Sequence, residues 1–114
     1  MDCIFCRIAK GELPCKEVYR DEHVLAFQDI HPKAPVHTLV IPLEHIPDAN
    51  GLLEVDPETA GRLFQAAARV ARLEGVADRG YRIIVNCGPE GGQEVGHLHL
   101  HVLGGRPLGP MVCR

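Results

Sequence analysis

Tryptophan is absent from this chain of 114 residues, and its aromatic residues are only three phenylalanines and two tyrosines. The core must therefore be built mainly from aliphatic side chains. A hydrophobic content of 46% is ordinary for a soluble protein and is enough to form one. No apolar run approaches the roughly 20 residues of a membrane-spanning helix, so we expect no membrane span.

A concentrated positive charge is also missing. The net charge is -3, and no run of lysine or arginine occurs, so we do not expect a nucleic acid or a membrane surface as partner. The first residues lack the basic-then-apolar order of an export signal. The five cysteines are odd in number and are not spaced as a disulfide framework. We therefore expect a protein of the reducing cytoplasm.

Turn residues and hydrophobic periodicity predict a short N-terminal helix, three strands, a long helix and two further strands in one domain, residues 1–114. Asp56 is a suitable N-cap for the long helix, Pro57 suits its first position, and Gly75 is a natural terminator. Strands joined by short connections favour antiparallel pairing, which gives the α+β class with the long helix on one sheet face. The short helix is predicted at residues 4–11, and the strands at 17–21, 23–30, 37–42, 81–88 and 97–103.

Three histidines alternate with apolar residues in the stretch GHLHLHVLGG, residues 96–105. Alternation predicts a strand with the apolar residues toward a core and the histidines together on the other face. His97 and His101 would then lie roughly 13 Å apart, too far to share one ion. We expect a surface along an extended polar ligand, with separate roles for the histidines. The plain alternative is a row of polar surface residues.

Two cysteines stand close together near the start of the chain. Cys3 and Cys6, in CIFC, have the spacing of half a tetrahedral zinc site. His45 and His97 are candidates for the other half. A redox dithiol and two inert thiols remain open, because the spacing alone does not separate them.

The triad pattern resembles the signature of the histidine triad (HIT) family of nucleotide-binding proteins. The segments HVLAFQDIHPKAPVHTLVIP, VNCGPEGGQ and HLHLHVLGGR are similar, in order and spacing, to its Hint branch. The resemblance implies a HIT-like fold with about five antiparallel strands. It also implies a homodimer that hydrolyses purine nucleoside phosphoramidates at the α-phosphorus through a nucleotidyl-histidine intermediate. A dinucleoside polyphosphate hydrolase and a non-catalytic nucleotide- or zinc-binding adaptor remain alternatives.

The resemblance also implies a role for each site residue. His99 is the nucleophile, and His101 and His37 belong to the phosphate-side cluster. The remaining implied contacts are Asp29 with the ribose hydroxyls, Asn86 and Gln93 near the α-phosphate, the purine pocket Ile4, Phe5, Ile8, Phe27 and Ile30, and the zinc ligands Cys3, Cys6, His45 and His97. Judged from the residues alone, Asp29 could equally be a turn residue, and Phe27 and Ile30 could be core.

Elementary chemistry agrees with a histidine site for phosphoryl transfer. A neutral imidazole is a competent nucleophile at pH 7, and nearby donors lower the barrier as charge develops on the phosphoryl oxygens. Two departures from the animal-type Hint pattern bear on the leaving group: Glu94 replaces a serine after GGQ, and the tail has no tryptophan.

A homodimer is the expected assembly. The long helix carries apolar residues beyond one stripe, notably Ala66, Ala68 and Leu73, and surplus apolar surface often marks an interface. The resemblance implies that this helix and the strand at residues 81–86 meet their copies about a two-fold axis.

Overall fold

The computed structural model describes residues 3–112, in which five strands form one antiparallel sheet of order β1-β2-β3-β5-β4. The α+β class is confirmed, and the succession of helices and strands is the predicted one. The elements are α1 (Ile4–Ala9), β1 (Glu17–Arg20), β2 (Val24–Gln28), β3 (Val36–Pro42), a 3₁₀ helix (Ala49–Glu54), α2 (Glu58–Leu73), β4 (Tyr81–Val85) and β5 (Leu100–Gly104).

The predicted turns and helix ends are largely confirmed. The carboxylate of Asp21 accepts hydrogen bonds from the main-chain N–H groups of His23 and Val24, which closes the β1–β2 hairpin. Helix α2 begins at Glu58, later than expected, yet the Asp56 carboxylate accepts the Glu58 N–H at 3.0 Å. Gly75, with φ at 77°, follows the helix in the left-handed conformation that glycine adopts without strain.

Helix α2 packs on one face of the sheet. The first core joins strand residues, among them Val40, Leu100 and Val102, and Leu98 just before β5 to the buried stripe of α2. The prediction that the apolar half of the histidine stretch faces a core is therefore confirmed. Ala66 belongs to this buried stripe, so its assignment to the surplus apolar surface of the helix is wrong, whereas Phe64 is 51% exposed.

A second core lies on the opposite face of the sheet. Helix α1 covers it with Cys3 and Phe5, which pack against Leu25 and Phe27 of β2 and against β3. Strands β2 and β3 are consequently buried on both faces. The plain alternative, a row of polar surface residues, is wrong, because His97 and His99 are buried and His101 is half-buried.

Strand β5 is shorter than the histidine pattern predicts. It begins at Leu100, so His97 and His99 lie on the segment that leads into it, outside the strand ladder. Strand β4 likewise ends at Val85, before Asn86. Within residues 3–112, no helix has the length and apolar character needed to cross a membrane.

Candidate functional site

The candidate site lies where β3, β5 and the end of β4 meet on the α1 face of the sheet. His101 pairs with Leu39 of β3 on one side and with Ile84 of β4 on the other. Asn86 and His99 directly adjoin the last pair of the β4–β5 ladder, Val85 with Leu100. Directly opposed residues share a face of the sheet, so these positions converge on the same side as the second core.

The ring of His99 is held by a main-chain carbonyl two residues earlier in the chain. Its Nδ1 lies 2.7 Å from the carbonyl oxygen of His97. A carbonyl only accepts, so Nδ1 carries the proton and Nε2 has a free lone pair. The edge-to-face contact with Phe5, at 5.2 Å between ring centroids, fixes the ring plane as well. His99 is therefore a buried imidazole with its nucleophilic nitrogen already defined.

His37 and His101 form a directed pair beside it. The main-chain N–H of Lys33 donates to Nδ1 of His37, so the neutral ring carries its proton on Nε2. That Nε2 lies 2.9 Å from Nδ1 of His101 and donates to it. His101 must then carry its own proton on Nε2. Among residues 3–112, the Nε2 atoms of His101 and His45 are the buried side-chain polar atoms without a partner.

Burial keeps both rings of this pair neutral. Loss of solvation lowers the pKa of His101 to about 4, and the neighbouring His99 and His37 act in the same direction. The pKa of His37 is also lowered by burial, although the negative charge of Asp29 opposes the shift. At pH 7 the free His101 Nε2 is thus an N–H donor without a full positive charge.

Asp29 lies directly after β2 and bridges this pair to the loop that follows. One carboxylate oxygen accepts the main-chain N–H of His31, and the other lies 3.4 Å from Nε2 of His37. Both the turn role and a site role are thereby supported. The ribose contact implied by the resemblance stays a prediction.

The purine pocket residues divide into two groups. Phe5 and Phe27 are buried and meet edge to face at 5.6 Å, and Ile8 packs against the same core. Ile4 is 51% exposed and Ile30 is 85% exposed. The structure therefore brings together three of the five residues. Phe5 and Phe27 serve as core, which was the alternative for Phe27.

The loop after β4 has an internal use for Gln93. Its side-chain amide donates to the carbonyls of Pro47 and Val95, and its oxygen accepts the Gly88 N–H. A phosphate contact by this side chain would require those bonds to break, and it stays a prediction. Asn86 is half-buried, and Glu94 is exposed.

The four predicted metal ligands converge within one cluster. Nδ1 of His97 lies 3.3 Å from Sγ of Cys3 and 3.2 Å from Nδ1 of His45. Sγ of Cys6 lies 3.3 Å from the His45 nitrogen and 3.6 Å from the His97 nitrogen. Zinc bonds of about 2.0–2.3 Å at tetrahedral angles require donors roughly 3.3–3.8 Å apart. We call these four residues the Cys/His cluster.

The proton positions support an ion there. Nε2 of His97 lies 3.0 Å from the carbonyl oxygen of Pro42 and must donate to it, which leaves the Nδ1 lone pair aimed into the cluster. Burial raises the pKa of the Cys6 thiol, with Cys3 adding to the effect. A bound cation would favour the thiolates.

The same test rejects a second group of potential ligands. Asp29, His37 and His101 also bring donor atoms within 4.8 Å of one another. There the Lys33 N–H uses the Nδ1 lone pair of His37 and leaves Nε2 with a proton. The group therefore fits a hydrogen-bonded relay better than a metal.

Main-chain groups that the sequence analysis did not identify complete the site. The Lys33 N–H and the carbonyls of Pro42 and His97 each fix one histidine tautomer. Main-chain groups are common to nearly all residue types, so no residue pattern could have found them.

A cavity of about 710 Å³ lies elsewhere, lined by residues 75–76, 79–82 and 105–108, and none of the triad histidines lines it.

Comparison with known proteins identifies the family. The sequence model of the HIT domain matches residues 10–108, which include every site histidine but neither Cys3 nor Cys6. The chain is 48% identical to the purine nucleoside phosphoramidase of Escherichia coli strain K12, over 98% of this chain and 94% of that protein.

Solved structures agree. A HIT family hydrolase from Clostridium thermocellum has a TM-score of 0.94 at 46% identity, covering 98% of this chain and 97% of the other. A histidine triad protein from Clostridium difficile has a TM-score of 0.93 at 42% identity, with the same coverage. The chain belongs to the HIT domain family.

Proposed function

We propose that the protein is a hydrolase that acts at the α-phosphorus of purine nucleoside phosphoramidates or related nucleotide conjugates, with His99 as the nucleophile. One observation carries the proposal. His99 and His101, with ring centroids 5.0 Å apart, have opposite tautomers. His99 therefore offers a lone pair at Nε2, which suits attack on a phosphoryl group. His101 offers an N–H at Nε2, which suits proton donation to that group.

In the first step, Nε2 of His99 attacks phosphorus, and the bond from phosphorus to the departing amine breaks. The amine leaves with that bond's electron pair and needs one proton, which Nε2 of His101 delivers. The His101–His37 pair, which shares a proton across the bond to Nδ1 of His101, is left one proton short. Its negative charge is offset by the positive charge of the nucleotidyl imidazolium formed on His99. The product is a nucleotidyl group on His99, whose Nδ1–H remains bonded to the His97 carbonyl.

In the second step, water attacks the nucleotidyl phosphorus and the bond to His99 breaks. Nε2 of His99 regains its lone pair, and the water loses one proton. That proton restores the one the His101 relay gave to the amine. The balance is one phosphoramidate and one water consumed, with one amine and one nucleoside monophosphate formed.

Recognition of the nucleoside would fall to the α1 side of the site. Ile4 and Ile30 are exposed and Ile8 is half-buried, so these three would offer apolar surface to a purine, with buried Phe5 and Phe27 packed behind them. Asp29 would accept hydrogen bonds from the ribose hydroxyls. Asn86 and Gln93 would serve the α-phosphate region, and Glu94 the leaving-group side. The name of the Escherichia coli relative supports the purine phosphoramidate class.

The Cys/His cluster would hold one zinc ion through Cys3, Cys6, His45 and His97. Zinc there would supply a cross-link between α1, the loop after β3 and the segment before β5. Protein purified without chelator should contain about one zinc per chain. Replacing Cys3 and Cys6 together by serine should lose both the metal and thermal stability. Absence of zinc, with no rise in melting temperature on adding it, would contradict the assignment.

A homodimer is part of the proposal. Phe64 and Leu73 on α2 and Tyr81 and Val85 on β4 are exposed apolar residues, and β4 is the last strand of the sheet. An edge strand beside exposed apolar side chains suits pairing with a second copy. Light scattering at micromolar concentration should give twice the chain mass, and a monomer mass would refute the homodimer.

The covalent intermediate is the decisive test. Protein mixed with a slow adenosine phosphoramidate and quenched in alkaline denaturant should gain one adenylyl mass on the peptide that contains His99. His99→Ala should abolish turnover, while the exposed His31→Ala should not. An adduct on another peptide, or wild-type turnover by His99→Ala, would refute the assignment. Faster turnover of a dinucleoside polyphosphate than of the phosphoramidate would favour the alternative substrate class.

A further inference from the structure

The nucleophile lies on a segment that the sheet does not hold. Ladder pairing of β5 with β3 and β4 covers residues 100–104, so His97 and His99 stand before it. Before β5, the main-chain N–H of His97 donates to the carbonyl of Val95 within the turn, and the N–H of Leu98 donates to the carbonyl of Ile46. Yet the Nδ1–H of His99 depends on the position of the His97 carbonyl.

The side chain of His97 anchors that carbonyl. Its Nε2 donates to Pro42 at the end of β3, and its Nδ1 faces the sulfur of Cys3, which is the N-cap of α1. The ring is completely buried. With an ion in the cluster, one imidazole would join three separate parts of the chain and hold fixed the main chain on which the nucleophile depends.

Phe5 links the same parts a second time. It stands between Cys3 and Cys6 on α1, and its ring packs edge-on against both His97, at 5.8 Å, and His99, at 5.2 Å. Helix α1 has only six residues, too few to be stable alone, so its position depends on its contacts. Loosening the cysteine attachment would therefore move the ring that packs on the nucleophile.

We propose that the Cys/His cluster is a positioning device for catalysis: with its ion bound, it holds the imidazole of His99 in the tautomer and orientation that attack requires. His97 is the positioning residue, acting through its carbonyl. The inference rests on the proposed function, which it extends. Without the ion, the His97 proton is free to move from Nε2 to Nδ1 beside a cysteine sulfur. That exchange would give up the Pro42 bond and release the segment.

The test compares protein as purified, protein stripped by chelator, and stripped protein reloaded with zinc chloride. Nitrogen-15 NMR of the histidine rings reports the His99 tautomer, and titration with adenosine monophosphate reports affinity. We expect stripping to lose the single Nδ1–H form of His99 and to lower kcat at least tenfold. The affinity for adenosine monophosphate should fall by a smaller factor. Reloading with zinc should restore the His99 signal, kcat and this affinity. An unchanged His99 signal with unchanged kcat in metal-free protein overturns the proposal.

Two variants keep the test decisive. Cys6→Ser should reproduce the stripped state, whereas Cys15→Ser, which alters a half-buried cysteine outside the cluster, should match wild type. If the stripped protein unfolds, His97→Cys keeps four ligands but removes the ring bonded to Pro42. Its zinc content should stay at one per chain while kcat falls at least tenfold; a wild-type kcat refutes the role of His97.

These readouts separate two kinds of failure. If no form of the protein turns over the phosphoramidate, the proposed function fails, yet the NMR signal of His99 still reports whether the metal controls its tautomer. If the loaded protein is active and the signal does not depend on metal, only the positioning role fails.

Discussion

Acid should destabilise this protein through its buried histidines, and His101 offers the clearest test. The pKa of this group is about 4 in the folded chain, because of burial, against an ordinary value of 6.5. At pH values between these two pKa values, His101 is protonated in the unfolded chain and neutral in the folded chain. Stability therefore falls as pH drops from 6.5 toward 4 and levels off below that. The contribution lost between pH 7 and pH 4 is roughly 3 kcal/mol.

His101→Asn isolates this contribution. The amide oxygen of asparagine occupies about the place of Nδ1 and can still accept the hydrogen bond from His37, but the side chain does not titrate. Urea unfolding followed by circular dichroism suits a chain without tryptophan. At fixed protein concentration, the free energy of unfolding should fall by roughly 3 kcal/mol less in the variant than in wild type between pH 7 and pH 4.

The control is His31→Asn, which removes an exposed imidazole and should keep the wild-type pH dependence. His37 and His97 have pKa values that burial also lowers, so part of the acid effect remains in every variant. Equal losses of stability in wild type and His101→Asn would refute the reasoning. The neutral N–H donor assigned to His101 would then lose its physical basis.

The remaining predictions concern the scaffold of the site. Leu98→Ala, in the first core beside the histidines, should lower the free energy of unfolding by about 2–5 kcal/mol in urea, whereas Leu53→Ala, at 90% exposure, should change it little. Gly91→Ala should lower the thermal midpoint, because the added Cβ would lie 2.3 Å from the Cys87 carbonyl oxygen; an unchanged midpoint would mean that the loop adapts freely. Gln93→Ala should cost about 1–3 kcal/mol by leaving main-chain partners unsatisfied, and a neutral result would contradict the internal role of this side chain.

The α2 side of the sheet was open to prediction because its signals are local. Alternation identified Leu98, Leu100 and Val102 as core, and Gly75 ended the long helix as expected. The second core, on the opposite face, was not predicted, because the helix that packs on it, α1, has only six residues and shows little hydrophobic periodicity. A signal did exist: VLAF in β2 and TLVI in β3 are nearly unbroken apolar runs, and such runs predict strands buried on both faces.

The cluster of cysteines and histidines was predictable as a set, but the division of labour among the histidines was not. Residue type cannot reveal a tautomer, because the tautomer is decided by what binds the other ring nitrogen. His97 has Nε2 bound to the Pro42 carbonyl, so Nδ1 is left for an ion. His37 has Nδ1 bound to the Lys33 N–H, so Nε2 must donate. Both constraints come from distant main-chain atoms.

The alternation of the histidines has a use that only the folded chain reveals. A spacing of two residues keeps His97 and His99 on one face and brings Nδ1 of His99 back to the carbonyl of His97. A spacing of one would turn the ring to the opposite face, and the α2 core would receive a polar group. A spacing of two residues therefore determines both the face on which the ring of His99 lies and the tautomer of that ring. It also makes the carbonyl that defines the nucleophile belong to a residue whose own ring reaches the cysteines.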